Sequence, residues 1–189
     1  NVVSTTPTMA FYHIPVKISR GTEVKNLSKL KLINMQDIEV EDIEWLIYPF
    51  IHYGKITIIQ GDPGEGKTTL LLQIIARMTN GEALINEKEK QPINVIYQTA
   101  EDGLGDTIKP SLLSADADCS KVLVIDEKDT QLTMRDVRLE QAIVETKDKI
   151  VVFDPIKGFL GADVDMQRAN KIRTVMKQID AIADKYKCA

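Results

Sequence analysis

The sequence predicts an α/β fold, in which helices flank a mostly parallel β-sheet. From residue 55 onward, short apolar runs rich in β-branched residues alternate with segments of helical periodicity. A glycine-rich turn joins the first of these runs to the first helix, and the last periodic segment is long and strongly amphipathic. Strands that alternate with helices pair in parallel and are covered on both faces. These observations together predict the α/β class.

The composition is that of an ordinary globular domain. The chain has 189 residues, of which 43% are hydrophobic and 28% are charged, and its formal net charge is -4. A chain of this length buries roughly 70% of the surface that its unfolded form exposes. These values exclude a disordered, collagen-like or disulfide-scaffold protein. The mild acidity excludes a protein that coats nucleic acid through bulk charge.

Cysteine usage and hydropathy predict a cytoplasmic protein without a membrane partner. Cys119 and Cys188 are far apart and lack metal-site spacing, so two reduced thiols are favoured over a disulfide or a metal site. No apolar run of about 18 residues is present, which argues against a spanning helix. The beginning of the chain also lacks the pattern of a signal peptide.

Four strands and four helices are predicted in the regular part of the chain. Asn80-Gly81 should stop the first helix, and Pro110 should disturb the second. The predicted strands span residues 55–60, 93–98, 122–125 and 150–153. The predicted helices span residues 67–78 and 104–113, a segment between 134 and 146, and residues 166–186.

The chain divides into an N-terminal arm or edge strand at residues 1–36 and a domain at residues 37–189. Alternation at residues 11–18 is the main periodic signal in the arm. Residues 37–51 mix acidic with apolar side chains and are expected to pack on the domain that follows. Because the chain starts at Asn1 and ends at Ala189, directly after a predicted helix, it is interpreted as an excerpt or a processed chain.

Residues 61–68, Gly-Asp-Pro-Gly-Glu-Gly-Lys-Thr, match the phosphate-binding pattern G-x-x-x-x-G-K-[ST] between a predicted strand and a predicted helix. Glycines let successive N–H groups point inward, and the helix N-terminus adds partial positive charge. Lys67 is expected to reach the β- and γ-phosphates, Thr68 to bind Mg²⁺, and Glu65 to point to solvent. A glycine-rich surface turn is the alternative, but such a turn has no need of the Lys-Thr pair. The predicted nucleotide-binding residues are Gly61, Asp62, Pro63, Gly64, Glu65, Gly66, Lys67, Thr68 and Thr69.

Metal-dependent phosphoryl transfer also needs an acid beside Mg²⁺ at the carboxyl end of a strand. Asp154 follows the apolar run 150–153 and is the predicted magnesium ligand. Asp126 follows the run 122–125 and is its rival. Asp154 is favoured because its strand is more continuously apolar, although an Asp before Pro155 could simply start a turn.

A second acid is predicted to act on the attacking water. Glu101 follows the strand 93–98 by the short turn Thr99-Ala100, so it should lie at the same end of the sheet. The alternative role is an acid that complements a helix N-terminus. Asp102 should point elsewhere, because neighbouring side chains diverge.

Several stretches resemble one known family. They are Glu44 to Ile51 (EWLIYPFI), the phosphate loop, Gln98 to Asp102 (QTAED), Phe153-Asp154-Pro155, and Phe159 to Asp165 (FLGADVD). In this combination, residues 45–189 resemble the RecA-like ATPase domain of RepA-type hexameric replicative helicases, including mobile-element and phage relatives.

The resemblance implies a RecA-like P-loop NTPase fold that binds ATP and Mg²⁺. It implies a catalytic glutamate at Glu101 and a magnesium-site aspartate at Asp154. Both agree with the assignments from the residues, in which Lys67 is also catalytic and Thr68 also binds Mg²⁺. It also implies a ring of identical subunits that moves on single-stranded DNA during DNA replication. Two alternatives remain open: a nucleotide-dependent assembly or regulatory module, and a recombinase-like ATPase without helicase activity.

The resemblance further implies that the domain is cut before its sensor strand. In the family, the helix matching 166–186 feeds a strand that ends in a γ-phosphate sensor, and an arginine finger follows. Without them, weak hydrolysis is expected, because an arginine finger alone can contribute roughly 10³–10⁵ in rate. The absent strand would leave an apolar edge beside the strand 55–60, which residues 10–18 or a second molecule should cover.

A contact with single-stranded DNA would map to the loop after Asp154. Lys157, Gly158 and Phe159 combine charge with an aromatic ring there, as phosphate contact and base stacking require. The nearby basic residues are Arg168, Lys171 and Arg173. The alternative is a solvated helix face beside one packed phenylalanine.

Overall fold

The computed structural model describes residues 30–84, 90–147, 150–161 and 169–189. The described residues divide into two units between Glu41 and Asp42. In the described part of the first unit, Asn34 caps a 3₁₀ turn, Met35–Asp37, and its side chain accepts a hydrogen bond from the Gln36 N–H. The predicted arm at residues 1–36 lies mostly outside the described residues, and its predicted boundary stays a prediction.

The second unit contains a hairpin and a parallel sheet. The hairpin pairs β1 (Trp45–Ile47) with β2 (Ile51–His52) in antiparallel orientation. The sheet contains β3 (Val95–Thr99), β4 (Val122–Leu123) and β5 (Ile150–Asp154), and β3 lies in the centre. Both neighbours pair with β3 in parallel. The predicted α/β class and the parallel pairing are confirmed.

Four α-helices accompany these strands among the described residues: α1 (Lys67–Asn80), α2 (Lys109–Ser114), α3 (Val137–Thr146) and α4 (Ala169–Tyr186). As predicted, α1 ends at a glycine: Gly81 has a φ of 72°, and its N–H bonds to the carbonyls of Arg77 and Met78. A π-helical turn, Leu104–Ile108, leads into α2. Pro110 lies in the first turn of α2, where a missing N–H leaves no hydrogen bond unmade. Residues 166–168 of the predicted last helix lie outside the described residues.

The side chains of β3 alternate between two apolar cores. Val95 and Tyr97 pack with Leu72 and Ile75 of α1, whereas Ile96 packs on the opposite face. The second core takes its residues from α3 and α4, including Leu139, Ile143 and Ala183. Helices therefore cover both faces of the sheet, which is the arrangement expected of a buried parallel sheet.

The prediction of a buried strand at residues 55–60 is wrong for this structure. The segment carries no strand pairing, and Ile58 and Ile59 are 64% and 40% exposed. The apolar pattern correctly marks a segment that can be buried, but burial depends on a neighbour on each side. Within the described ranges, no strand lies between this segment and β5.

An apolar groove of about 280 Å³ separates the segment 55–59 from β5. At one end of the groove, the Cys188 carbonyl accepts a hydrogen bond of 2.9 Å from the Gly54 N–H. The Ala189 carbonyl accepts one of the same length from the Val151 N–H. The expectation that residues 10–18 or a second molecule cover this edge stays a prediction, since residues 10–18 lie outside the described residues.

Two predictions on cysteines and membranes can be compared with the described residues. Cys119 and Cys188 form no disulfide, as predicted. Across the ranges that the structure describes, none of the helices combines the length and the apolar character needed to cross a bilayer. The predicted cytoplasmic location stays a prediction.

The Thr79 side chain forms a hydrogen bond between α1 and the loop before β4, so a substitution of Thr79 tests this part of the fold. Its side chain is 1% exposed, and its hydroxyl donates to the Ala76 carbonyl and accepts from the Asp118 N–H at 3.2 Å. Thr79→Val leaves that N–H without its partner, so we expect the free energy of unfolding to fall by about 1–3 kcal/mol in urea titrations. Thr174→Val on the exposed face of α4 is the control and should change stability by less than about 0.5 kcal/mol. Equal effects of the two variants would contradict this assignment.

Candidate functional site

The phosphate loop has the backbone of an anion-binding nest. Gly64 and Gly66 have φ values of 83° and 79°, a left-handed conformation that glycine adopts without strain. A Cβ at either position would meet no atom within 4 Å, so conformation rather than space requires glycine there. Helix α1 begins immediately afterwards at Lys67, and the loop residues 61–66 are exposed. The N–H groups and the helix N-terminus are thus open to an anion from solvent.

Two side chains of the loop fold back onto its own backbone. Lys67 Nζ donates to the Asp62 carbonyl at 2.5 Å. The Glu65 carboxylate accepts a hydrogen bond of 2.7 Å from the Asp62 N–H. Glu65 is exposed, but its carboxylate caps the loop instead of pointing to solvent as expected, because the N–H of residue 62 lies within its reach. A phosphate would compete for the same lysine.

The structure brings Thr68 and Asp154 together across 86 residues of sequence. The Thr68 hydroxyl donates to Asp154 Oδ2 at 2.8 Å. Asp126, the rival acid, instead forms an exposed ion pair with Lys128 at 3.5 Å. Thr69 follows on α1 and is exposed. Of the two candidate acids, Asp154 is the one that contacts the phosphate loop.

Tyr97 is a member of this site that the sequence analysis missed. Its hydroxyl donates to Asp154 Oδ2 at 3.0 Å, and its side chain is fully buried. Burial, followed by the charge of Asp154 and the hydrogen bond to it, raises the Tyr97 pKa far above its ordinary value. The phenol therefore stays protonated and remains a donor to the carboxylate. Its only sequence signal is a polar-tipped residue that follows the apolar pair Val95-Ile96 in β3.

The Thr68–Asp154 pair fits Mg²⁺. A hydroxyl and a carboxylate supply oxygen ligands, and Mg²⁺ in nucleotide sites typically takes one or two protein carboxylates and completes its shell with phosphates and water. Within the described residues, no group of three or more His, Cys, Asp or Glu is placed to hold a metal ion. An open site completed by phosphates therefore suits these residues better than a cage built from protein ligands alone.

Glu101 lies just beyond the end of β3, at the same edge of the sheet as Asp154. Thr99, the last residue of β3, pairs in register with Asp154. The Ala100 N–H donates to the Asp154 carbonyl at 3.2 Å, and the Thr99 hydroxyl accepts from the Glu101 N–H at 3.4 Å. The Glu101 carboxylate pairs with Lys157, with Nζ and Oε1 separated by 2.6 Å.

The loop after Asp154 differs from the predicted DNA-binding arrangement. Phe159 is 1% exposed, and its ring centroid lies 5.0 Å from that of Phe153. The expectation that it stacks on bases is wrong for this structure, because its ring fills the core. Lys157 is exposed but paired with Glu101, and Lys171 and Arg173 are exposed on α4. Arg168 lies outside the described residues.

Comparison with known proteins places the chain in a family. No curated protein matches it. The family model described as an AAA domain matches residues 23–189, which include the phosphate loop, Glu101 and Asp154. The match implies a P-loop NTPase fold and nucleotide-dependent activity. Since it covers most of the sequence, the chain belongs to the AAA domain family of P-loop ATPases.

Proposed function

We propose that the chain is a RecA-like ATPase module of a DNA-replication or mobile-element motor of the RepA type. It hydrolyses ATP with Mg²⁺ and, as a ring of identical subunits, acts on single-stranded DNA. The hydrogen bond between Thr68 and Asp154 carries the ATPase part of the proposal. It joins the two halves of an ATP–magnesium site at the edge where parallel strands end, the usual place for ligands in such sheets.

Nucleotide binding uses the phosphate loop. The N–H groups around Gly64 and Gly66 and the N-terminus of α1 surround the β- and γ-phosphates. Lys67 Nζ exchanges its hydrogen bond to the Asp62 carbonyl for one to a phosphate oxygen, so its positive charge offsets that of the triphosphate. Thr68 and Asp154 would hold Mg²⁺, whose positive charge would offset part of the charge of the triphosphate.

Hydrolysis uses Glu101 as the group that orients water and accepts its proton. The water oxygen forms a bond to the γ-phosphorus while the bond to the β–γ bridging oxygen breaks, giving ADP and phosphate. Lys67 stabilises the charge that develops on the phosphoryl oxygens. Tyr97 keeps Asp154 in place throughout, because its buried hydroxyl donates to the carboxylate.

Glu101→Gln tests the catalytic part. We expect turnover to fall by roughly 10²–10⁴-fold, the usual contribution of a general base, while nucleotide affinity is retained. Turnover is measured by phosphate release, and affinity by titration with a fluorescent ATP analogue. The matched control is Asp102→Asn, which removes the adjacent acid and should leave turnover near the wild-type value. Normal turnover in Glu101→Gln would exclude this carboxylate as the base.

Tyr97→Phe tests the support of the magnesium ligand. Removing the hydroxyl takes one of two donors from Asp154 Oδ2. Loss of such outer-shell partners costs roughly 10- to 100-fold in metal affinity, so more Mg²⁺ should be needed for nucleotide binding. The control is Tyr186→Phe, which breaks a similar 2.8 Å bond to Glu140 away from the site. Equal magnesium dependence in Tyr97→Phe and wild type would contradict the role of Tyr97.

The effect of single-stranded DNA on ATP turnover tests the proposed motor function. We expect an oligonucleotide to raise ATP turnover, and the effect to weaken with salt because phosphate contacts release counterions. Lys67→Ala serves as the background, since it removes the charge that binds the triphosphate. ATP turnover without any response to DNA would leave the ATPase assignment intact and would count against a DNA motor.

A further inference from the structure

An ion pair outside the nucleotide-binding motif joins the ends of two neighbouring strands. Lys157 lies in the 3₁₀ turn Ile156–Phe159 that follows β5, whereas Glu101 follows β3. Lys157 Nζ and Glu101 Oε1 are 2.6 Å apart. The partner of Lys157 is thus the carboxylate that the proposed function uses to orient water.

The backbone on both sides of the pair is held in place. A Cβ at Gly158 would lie 2.3 Å from the Ala100 Cβ, so the turn after β5 approaches the end of β3 more closely than a side chain would permit. On the β3 side, the Ala100 N–H donates to the Asp154 carbonyl. On the β5 side, the buried Phe159 anchors the turn in the core. Residues next to both partners are therefore fixed relative to each other.

The ion pair between Lys157 and Glu101 contributes too little to fold stability for stability to be its main role. The side chains of Lys157 and Glu101 are 59% and 56% exposed, and such surface pairs contribute about 0.2–1 kcal/mol. The pair of Lys187 and Asp184 is closely similar, with a distance of 2.7 Å and exposures of 61% and 61%. What distinguishes Lys157 is the position of its partner beside the nucleotide site.

When ATP is bound, the positive charge of Lys157 would influence the orientation of the Glu101 carboxylate. The triphosphate brings several negative charges to the same edge of the sheet, and these repel the Glu101 carboxylate. An ammonium group at 2.6 Å offsets this repulsion and restricts the rotamers that Glu101 can take. Without it, the carboxylate would be free to turn away from the phosphates.

We propose that Lys157 is a positioning residue for Glu101: its ammonium holds the carboxylate in the orientation that aligns the attacking water. This inference rests on the proposed function. It extends the machinery to a residue that acts through Glu101.

Lys157→Gln should lower kcat by roughly 10- to 100-fold, since a displaced catalytic group costs about this much, and should leave the KM for ATP unchanged. Lys157→Arg keeps the charge and should restore most of the kcat. Lys187→Gln, which breaks the matched surface pair, should leave both constants unchanged. An unchanged kcat in Lys157→Gln, or no recovery with arginine, would overturn the inference.

A second measurement does not depend on turnover. The side-chain carboxyl ¹³C resonance of Glu101, assigned by its loss in Glu101→Gln, reports the ammonium beside it in the nucleotide-free protein. It should move in Lys157→Gln and stay in place in Lys187→Gln. A resonance that does not move would show that the pair does not persist, and would overturn the inference even if turnover is too slow to compare.

The failure of this inference and that of the proposed function give different results. If Glu101→Gln abolishes turnover while Lys157→Gln keeps the wild-type kcat, the ATPase mechanism stands and the positioning role is wrong. If Glu101→Gln retains full turnover, the assignment of Glu101 fails and the positioning role of Lys157 fails with it.

Discussion

The hydrogen bond from Thr68 to Asp154 is the constraint on which the site depends. It requires the first turn of α1 to lie above the end of β5, although the two segments are distant in sequence. The packing of α1 meets this requirement, because Leu72 and Ile75 share one apolar core with Ile150 and Val152 of β5. The same burial that stabilises the sheet thus places the phosphate loop at its carboxyl edge.

The contacts of the loop explain how an acidic chain can bind a polyanion. The net charge of -4 is spread over the whole sequence, whereas the triphosphate would meet one lysine, a set of N–H groups and a helix N-terminus. Within that edge, the buried Tyr97 and Thr68 both donate to Asp154. The carboxylate is therefore oriented by hydroxyl groups, which leaves the positive charge of Lys67 available for the phosphates.

Local patterns in the sequence were enough to predict the phosphate-loop motif, the start of α1 at Lys67 with its stop at Gly81, and the parallel orientation of the sheet strands. Each of these depends on residues close in sequence: the glycine spacing, the glycine after Asn80, and the runs of β-branched residues. The errors concern long-range partners. Residues 55–60 have the composition of a buried strand, but strand pairing depends on a neighbour that composition does not reveal. Likewise, Tyr97 was missed as a site residue, and Lys157 was assigned to a DNA contact and not to its pair with Glu101, because these partners follow from sheet register.

The register of the strands also explains why a shift of β5 along its neighbour would disrupt the site. Ile150 and Val152 point into the core that contains α1, so by alternation Asp154 continues on that face and meets Thr68. Val95 and Tyr97 point the same way on β3, which lets the tyrosine reach Asp154. A slip of one residue in β5 would turn Asp154 toward α3 and α4 and bury the wrong set of apolar side chains. Such a slip would lose burial throughout the apolar core. The packing of the sheet therefore also fixes the geometry of the phosphate site.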